Sequence, residues 1–258
     1  MRRLLFLVAL LLVGTPALAD DLDRILKEGA VRAGICLSAE PIGYRDGENV
    51  PRGYDVDVAG LMAEALGVRL DLVEVSVATR ISDLIEGRID VVVCNLTATV
   101  ERARSIDFSF PYLRTGIKLL VPVGSALTRL DDVNASTRIV VHRGTTGEDL
   151  VRARGPEAEL IYAETPGDAL LLIRLGEADG YVEDSLVVDT LARENPEQVL
   201  SLPATYTMDA VAFGIRKGNP GFLRWLDIFA STYVSSGRYA ETYGRWWGEP
   251  PPPIIPMW

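Results

Sequence analysis

The chain has 258 residues, with 26 Lys plus Arg against 36 Asp plus Glu, a formal net charge of −10. An acidic surface of this kind repels nucleic acid and anionic lipid, so neither is expected as a partner. Hydrophobic residues at 48% and charged residues at 24% describe a globular protein with enough chain for one large or two small cores.

At the amino end Arg2 and Arg3 precede an apolar run over 4–13, and Ala17-Leu18-Ala19 supplies a small-x-small cleavage site. This is the pattern of a secretory signal peptide, so residues 1–19 are expected to be removed on export to a bacterial periplasm. The apolar run is short of the roughly 20 residues that a spanning helix needs. No cysteine near the cleavage site offers a lipid anchor, and the chain from Asp20 onward carries 24 basic against 36 acidic residues, a net −12.

From there strand and helix patterns alternate. Apolar runs at 31–37, 68–73, 89–94, 117–123, 138–141 and 211–215 predict strands, and helical spacing is found at 55–66, 81–87, 146–154, 166–175 and 184–193. Alternation of this kind predicts parallel sheets with helices on both faces. The tail over 250–253 reads as a stiff polyproline extension.

The run from Asn95 to Tyr112 carries the most chemistry. It follows the apolar strand Asp90-Val91-Val92-Val93-Cys94, so the hydroxyls of Thr97 and Thr99 and the guanidinium of Arg102 are expected at the carboxyl end of a parallel strand. Open α/β sheets bind small ligands there. A guanidinium fork matches a carboxylate bidentately, and Thr97 adds a hydroxyl and a backbone donor. The chemistry indicated is capture of a small carboxylate. Other chemistries find little support. His142 is the single histidine and reads as a structural residue at a strand end. No C-x-x-C spacing, G-x-S-x-G elbow or phosphate-binding glycine loop is present, so no metal or other cofactor is expected. The two cysteines, Cys36 and Cys94, leave two alternatives. They form a disulfide if their strands are neighbours, or they remain buried thiols acting as small apolar residues.

The segment Thr97-Ala98-Thr99-Val100-Glu101-Arg102, followed by Asp107-Phe108-Ser109-Phe110-Pro111-Tyr112, resembles the signature of the periplasmic amino-acid-binding proteins of ABC importers, the type II substrate-binding proteins of solute-binding family 3. Four further stretches fit in the same order: Gly53-Tyr54-Asp55-Val56-Asp57-Val58, Arg80-Ile81-Ser82-Asp83-Leu84, Gly144-Thr145-Thr146-Gly147-Glu148 and Phe213-Gly214-Ile215-Arg216-Lys217-Gly218-Asn219-Pro220. The resemblance implies a two-lobed α/β fold, each lobe a mainly parallel sheet flanked by helices. Lobe 1 would comprise 20–113 and 212–258, and lobe 2 would comprise 114–211. Two hinge crossings would fall near 113–116 and 210–214, each with a glycine to absorb rotation.

The resemblance also implies roles. Arg102 would grip a ligand α-carboxylate with help from Thr97 and from Thr145 and Thr146 at a helix N-terminus, a natural anion site. Asp184 and Asn95 would receive the α-ammonium. Each has a plainer alternative: Asp184 and Thr145 could simply cap helices, and Arg102 could pair with Asp107. Arg80 matches an arginine that holds the side-chain carboxylate of acidic ligands, with a structural salt bridge as its alternative. Cys36, Ala39 and Val77 occupy positions where the family often has charged, aromatic or bulky residues, which implies a roomier pocket. The function implied is a monomeric, non-enzymatic carrier of a polar amino acid, acidic ones included, that delivers it to an ABC permease. Alternatives are an enzyme on the same fold, such as a cyclohexadienyl dehydratase with Glu183 or Glu40 as general acid, or a sensory or accessory protein that docks through its proline-rich tail.

Overall fold

Residues 20–254 are described, in a computed structural model; the signal peptide expected over 1–19 lies outside them. The chain lays down α1 (Asp21–Glu28), β1 (Ala30–Ile35), a hairpin of β2 (Tyr44–Arg45) and β3 (Pro51–Arg52), α2 (Tyr54–Leu66), β4 (Arg69–Glu74), α3 (Arg80–Ile85), β5 (Val91–Val92) and β6 (Ile106–Thr115). It continues through β7 (Ile117–Pro122), β8 (Arg138–Val141), α4 (Thr146–Arg154), β9 (Glu159–Tyr162), α5 (Pro166–Arg174), β10 (Gly180–Asp184), α6 (Ser185–Glu194) and β11 (Val199–Ser201). It then returns through β12 (Asp209–Arg216), α7 (Pro220–Ser235) and α8 (Arg238–Trp247).

Two five-stranded sheets result, ordered β4-β1-β5-β12-β6 and β11-β7-β10-β8-β9. In each sheet one strand, β12 or β7, runs against both neighbours, and the other four share a direction. The reversal follows from connectivity. β6 ends, and β7 and β12 begin, at the places where the chain passes between the sheets, so β7 and β12 must run away from the junction. The parallel strands therefore aim their carboxyl ends at the space between the sheets.

Gly116, between β6 and β7, lies against the returning segment. A Cβ there would stand 2.3 Å from the Thr207 carbonyl oxygen and 2.5 Å from Thr205 Cγ2, so close approach of the two crossing segments requires glycine. Gly214 differs from expectation. It sits inside β12, paired with Val92 and Phe108 and packed under Leu96, so its role is close packing within a sheet and not at a crossing.

The first sheet packs on Tyr54, Tyr112, Phe213 and Phe222, all fully buried, and the second on Leu119, Ile139, Val141 and Val182. The buried hydroxyls are satisfied in series, Tyr233 Oη donating to Tyr54 Oη and Tyr54 Oη to the Tyr112 carbonyl, both at 3.1 Å. Asp90, buried at the start of β5, accepts from the guanidinium groups of Arg24 and Arg32 and from the Arg32 N–H at 2.9 Å. This ties α1 to the sheet at the end remote from the cleft. The tail expected as a stiff extension folds back: Tyr239 Oη donates to the Pro252 carbonyl at 3.0 Å and Ile254 packs on the core.

Cys36 and Cys94 follow β1 and β5, which are neighbours, and they form a disulfide with Cα atoms 5.1 Å apart. The bridge pins together two strand ends that carry the cleft. Closing a loop of 58 residues stabilises by about 4 kcal/mol in the chain-entropy model. Denaturant titration of the protein with and without a thiol reductant is expected to show a loss of that order. Coincident curves, with reduction confirmed by thiol titration, would contradict a stabilising bridge.

Candidate functional site

The segments after β1, β5, β8 and β10 converge on one cleft lined from both sheets. Its walls include Cys36, Arg80, Asn95, Thr97 and Arg102 from the first side, and Thr145, Thr146, Glu183 and Asp184 from the second. All eight residues singled out from the sequence line it: Arg102, Thr97, Asn95, Thr145, Thr146, Asp184, Arg80 and Cys36.

One end is rich in donors. After β5 the chain makes an isolated bridge from Thr97 to Val211, then a short 3-10 turn at Arg102–Arg104. The Arg102 N–H donates to Thr99 Oγ1 at 3.1 Å, which sets the turn. The Arg102 guanidinium donates from Nη1 to the Thr97 carbonyl at 2.7 Å, and from Nη2 across the cleft to the Gly144 carbonyl at 2.9 Å. Burial lowers its pKa from the ordinary range. Asp107 pairs instead with Lys217 at 3.0 Å, so the surface-pair alternative for Arg102 is not the one realised.

Facing it is the start of α4. Thr145 does cap this helix, accepting from the Glu148 N–H at 3.1 Å and donating to the His142 carbonyl at 2.8 Å. The N–H groups of Thr146 and Gly147, ahead of the capped Glu148 N–H, have no intrahelical acceptor and are available to an anion. Gly147 allows this turn to approach β10, since a Cβ would stand 2.9 Å from the Val182 carbonyl oxygen. Thr146 Oγ1 makes a long 3.5 Å contact to Asp209. Arg143 stays exposed and lies over the Tyr162 ring at 3.9 Å.

The other end is acidic. Asp184 caps α6 by accepting from the Leu186 N–H at 2.9 Å, accepts from Thr115 Oγ1 at 2.5 Å, and takes Asn95 Nδ2 across the cleft at 3.3 Å. Capping and cleft lining are thus performed by one carboxylate. Burial raises its pKa to about 7, more than its hydrogen bonds to Thr115 and Leu186 can offset. Asn95 is held at φ 41°, in the left-handed region, by its N–H donating to Asp55 Oδ2 at 2.7 Å. Asp55 is itself buried, accepts from Tyr112 Oη at 2.9 Å, and is pushed by burial to about 6. The Asn95 Oδ1 is buried without a partner.

The cleft is also lined by the disulfide, Ala39, Val77, Arg80, Glu183, His142 and Tyr181. Arg80 is buried and donates from Nη1 to the Cys94 carbonyl at 2.6 Å; among the described residues it has no salt bridge, and its Nε has no partner. Burial, then the charge of Arg102, lowers its pKa to about 9. Glu183 Oε2 is likewise buried and unpartnered, and burial raises its pKa. His142 bonds through Nδ1 to the Ala163 carbonyl at 2.7 Å, which places the proton on Nδ1 and leaves Nε2 to accept from Tyr181 Oη at 2.6 Å.

Asp55 and Tyr181 were not anticipated at this site. A carboxylate among the apolar residues Tyr54, Val58 and Ala59 of α2 was the available sign for Asp55. Tyr181 gave none, because a strand tyrosine looks the same in any core.

A carboxyl whose folded pKa exceeds its unfolded value stabilises the fold at low pH and loses that contribution as pH rises from about 4 to 7. Asp184→Asn keeps the capping oxygen and removes the charge. The ligand-free variant is therefore expected to be more stable than the parent at pH 8 by about 2 to 4 kcal/mol, one pKa unit being about 1.4 kcal/mol. The gap should close near pH 4, measured by thermal unfolding across pH. A variant less stable at pH 8 would contradict the buried charge.

Known proteins resemble this chain in sequence and in fold. The chain is 29% identical over 202 residues to the ABC transporter glutamine-binding protein GlnH of Bacillus subtilis, covering 77% of this chain and 74% of that one. It is 26% identical over 253 residues to a glutamate/aspartate import solute-binding protein of Salmonella typhimurium, covering 93% and 83%. The crystal structure of an ancestral amino acid-binding protein, AncCDT-1, described as a precursor of cyclohexadienyl dehydratase, superposes with a TM-score of 0.82 at 30% identity over 88% of this chain and 99% of that one. The two-sheet architecture is that of the type II periplasmic binding proteins. The model of the bacterial extracellular solute-binding proteins, family 3, matches residues 31–249, and the chain belongs to that family.

Proposed function

We propose that this solute-binding protein captures a polar amino acid between its two lobes in the periplasm and delivers it to the permease of an ABC importer, without catalysis. The observation that carries this reading is the pairing of opposite ends within one cleft: the Arg102 guanidinium and the α4 N-terminus at one, buried Asp184 with the free Asn95 Oδ1 at the other. An α-carboxylate supplies charge to the first and an α-ammonium to the second. Residues 20–113 and 212–258 would move against 114–211, hinged where the segments around Gly116 and Thr207 run side by side. Glutamine-binding and glutamate/aspartate-importing relatives support an amino-acid ligand.

Closure excludes water, and each polar contact is stronger in the drier cleft. Contacts from both lobes exist together only in the closed form, so ligand shifts the protein towards it. One observation favours a second reading. Glu183 is a buried carboxyl lining the cleft, and burial raises its pKa from the ordinary range, and a structural neighbour is described as a dehydratase precursor. Turnover of prephenate or arogenate would establish that reading.

The test of the carrier reading is a thermal-shift screen of the protein against the common amino acids. A ligand at a hundred times its Kd stabilises by about 2.7 kcal/mol, so the midpoint should rise by several degrees with one or a few of them. Arg102→Ala leaves a ligand carboxylate buried without its partner and should weaken that binding by about a hundredfold or more. Absence of any shift, or full affinity in the variant, would contradict the proposal.

A further inference from the structure

Two polar atoms in the cleft wall stay unpaired even though their neighbours are fully engaged. Arg80 Nε and Glu183 Oε2 are both buried without a hydrogen-bond partner. Among the described residues, neither is served by a protein group. Lys118 lies opposite Glu183 in the β7–β10 register, but its ammonium is held by Asp189 at 2.8 and 3.0 Å. His142 is occupied through both ring nitrogens, and Tyr181 Oη is spent on it. Asp184, next to Glu183, has both oxygens in use. Arg80 is fixed by its bond to the Cys94 carbonyl, next to the disulfide. Arg80 and Glu183 make no salt bridge with each other, yet each feels the other's charge. They line one cleft, to which Ala39 and Val77 contribute small side chains.

We infer that this region selects an α-amino acid whose side chain ends in a neutral carboxamide, Glu183 accepting from its N–H and Arg80 donating to its oxygen. The inference rests on the amino-acid-carrier reading and adds the ligand class and the residue that determines it. A carboxamide presents donor and acceptor together at one planar end. A side-chain carboxylate would satisfy Arg80 but face Glu183, and a side-chain cation would satisfy Glu183 but face Arg80; in a dry cleft either clash is costly. An apolar side chain would leave both atoms unpaired. Glu183 therefore acts as a specificity determinant that turns the arginine away from acidic ligands.

Isothermal titration calorimetry on the ligand-free protein with L-glutamine, L-asparagine, L-glutamate, L-arginine and L-leucine tests this, alongside the Glu183→Gln variant. A carboxamide ligand is expected to bind at least tenfold more tightly than glutamate, arginine or leucine. Glu183→Gln, which removes the charge at constant size, should improve glutamate relative to glutamine at least tenfold. Preference of the parent protein for glutamate, arginine or leucine, or equal binding of all, would overturn the inference and leave the carrier reading standing. So would an unchanged glutamine-to-glutamate ratio in the variant. If none of a full set of amino acids bound, the carrier reading itself would fail and this inference with it.

Discussion

The structure depends on charged groups withdrawn from water at the seam between two sheets. Asp184, Asp55, Arg80 and Glu183 all sit where burial disfavours their charged forms, and no protein group fully compensates them. A fold stabilised only for its own sake would not keep Arg80 Nε, Asn95 Oδ1 and Glu183 Oε2 unpaired in a single cavity. Their place in one cleft makes sense when a ligand completes them.

Around that seam the architecture brings two walls face to face. The parallel strands deliver Cys36, Asn95, His142 and Asp184 to the same end, and the reversed strands β7 and β12 carry the chain across. Among the described residues, direct bonds between the walls include Arg102 to the Gly144 carbonyl and Asn95 to Asp184. Two such bonds, each worth about 0.5–1.5 kcal/mol net, or 1.5–3 where a charge is involved, can be exchanged for ligand contacts on opening and closing. Behind them, Asp55 and Tyr112 hold Asn95 in its left-handed conformation, so a residue outside the cleft sets the position of one inside it.

Much of this was legible in the residues alone. The spacing of Thr97 and Arg102 after an apolar strand sets hydroxyl, N–H and guanidinium types at one strand end, and both residues line the cleft. A disulfide between Cys36 and Cys94 was one of two alternatives, conditional on a strand adjacency that only the sheet order supplies. What local pattern could not reach was set by tertiary partners. β10 ends in two acids and does not read as a strand, yet it forms the acidic wall because β7 and β8 pair on either side of it. Gly214 looked like a hinge because glycine is permissive, and only the packing of Leu96 against it shows a space constraint. The proline tail looked extended because proline favours that shape, but Tyr239 supplies a partner for its backbone.

On the carrier reading, Asp184, whose pKa burial raises, would be ionised by a bound ammonium. Calorimetric titration with the tightest-binding amino acid at pH 6, in two buffers of different ionisation enthalpy, counts the protons exchanged on binding. With the free carboxyl at about 7, complex formation should release about one proton at pH 6 and almost none near pH 8. Zero release or net uptake at pH 6 would contradict a carboxylate–ammonium pair at Asp184.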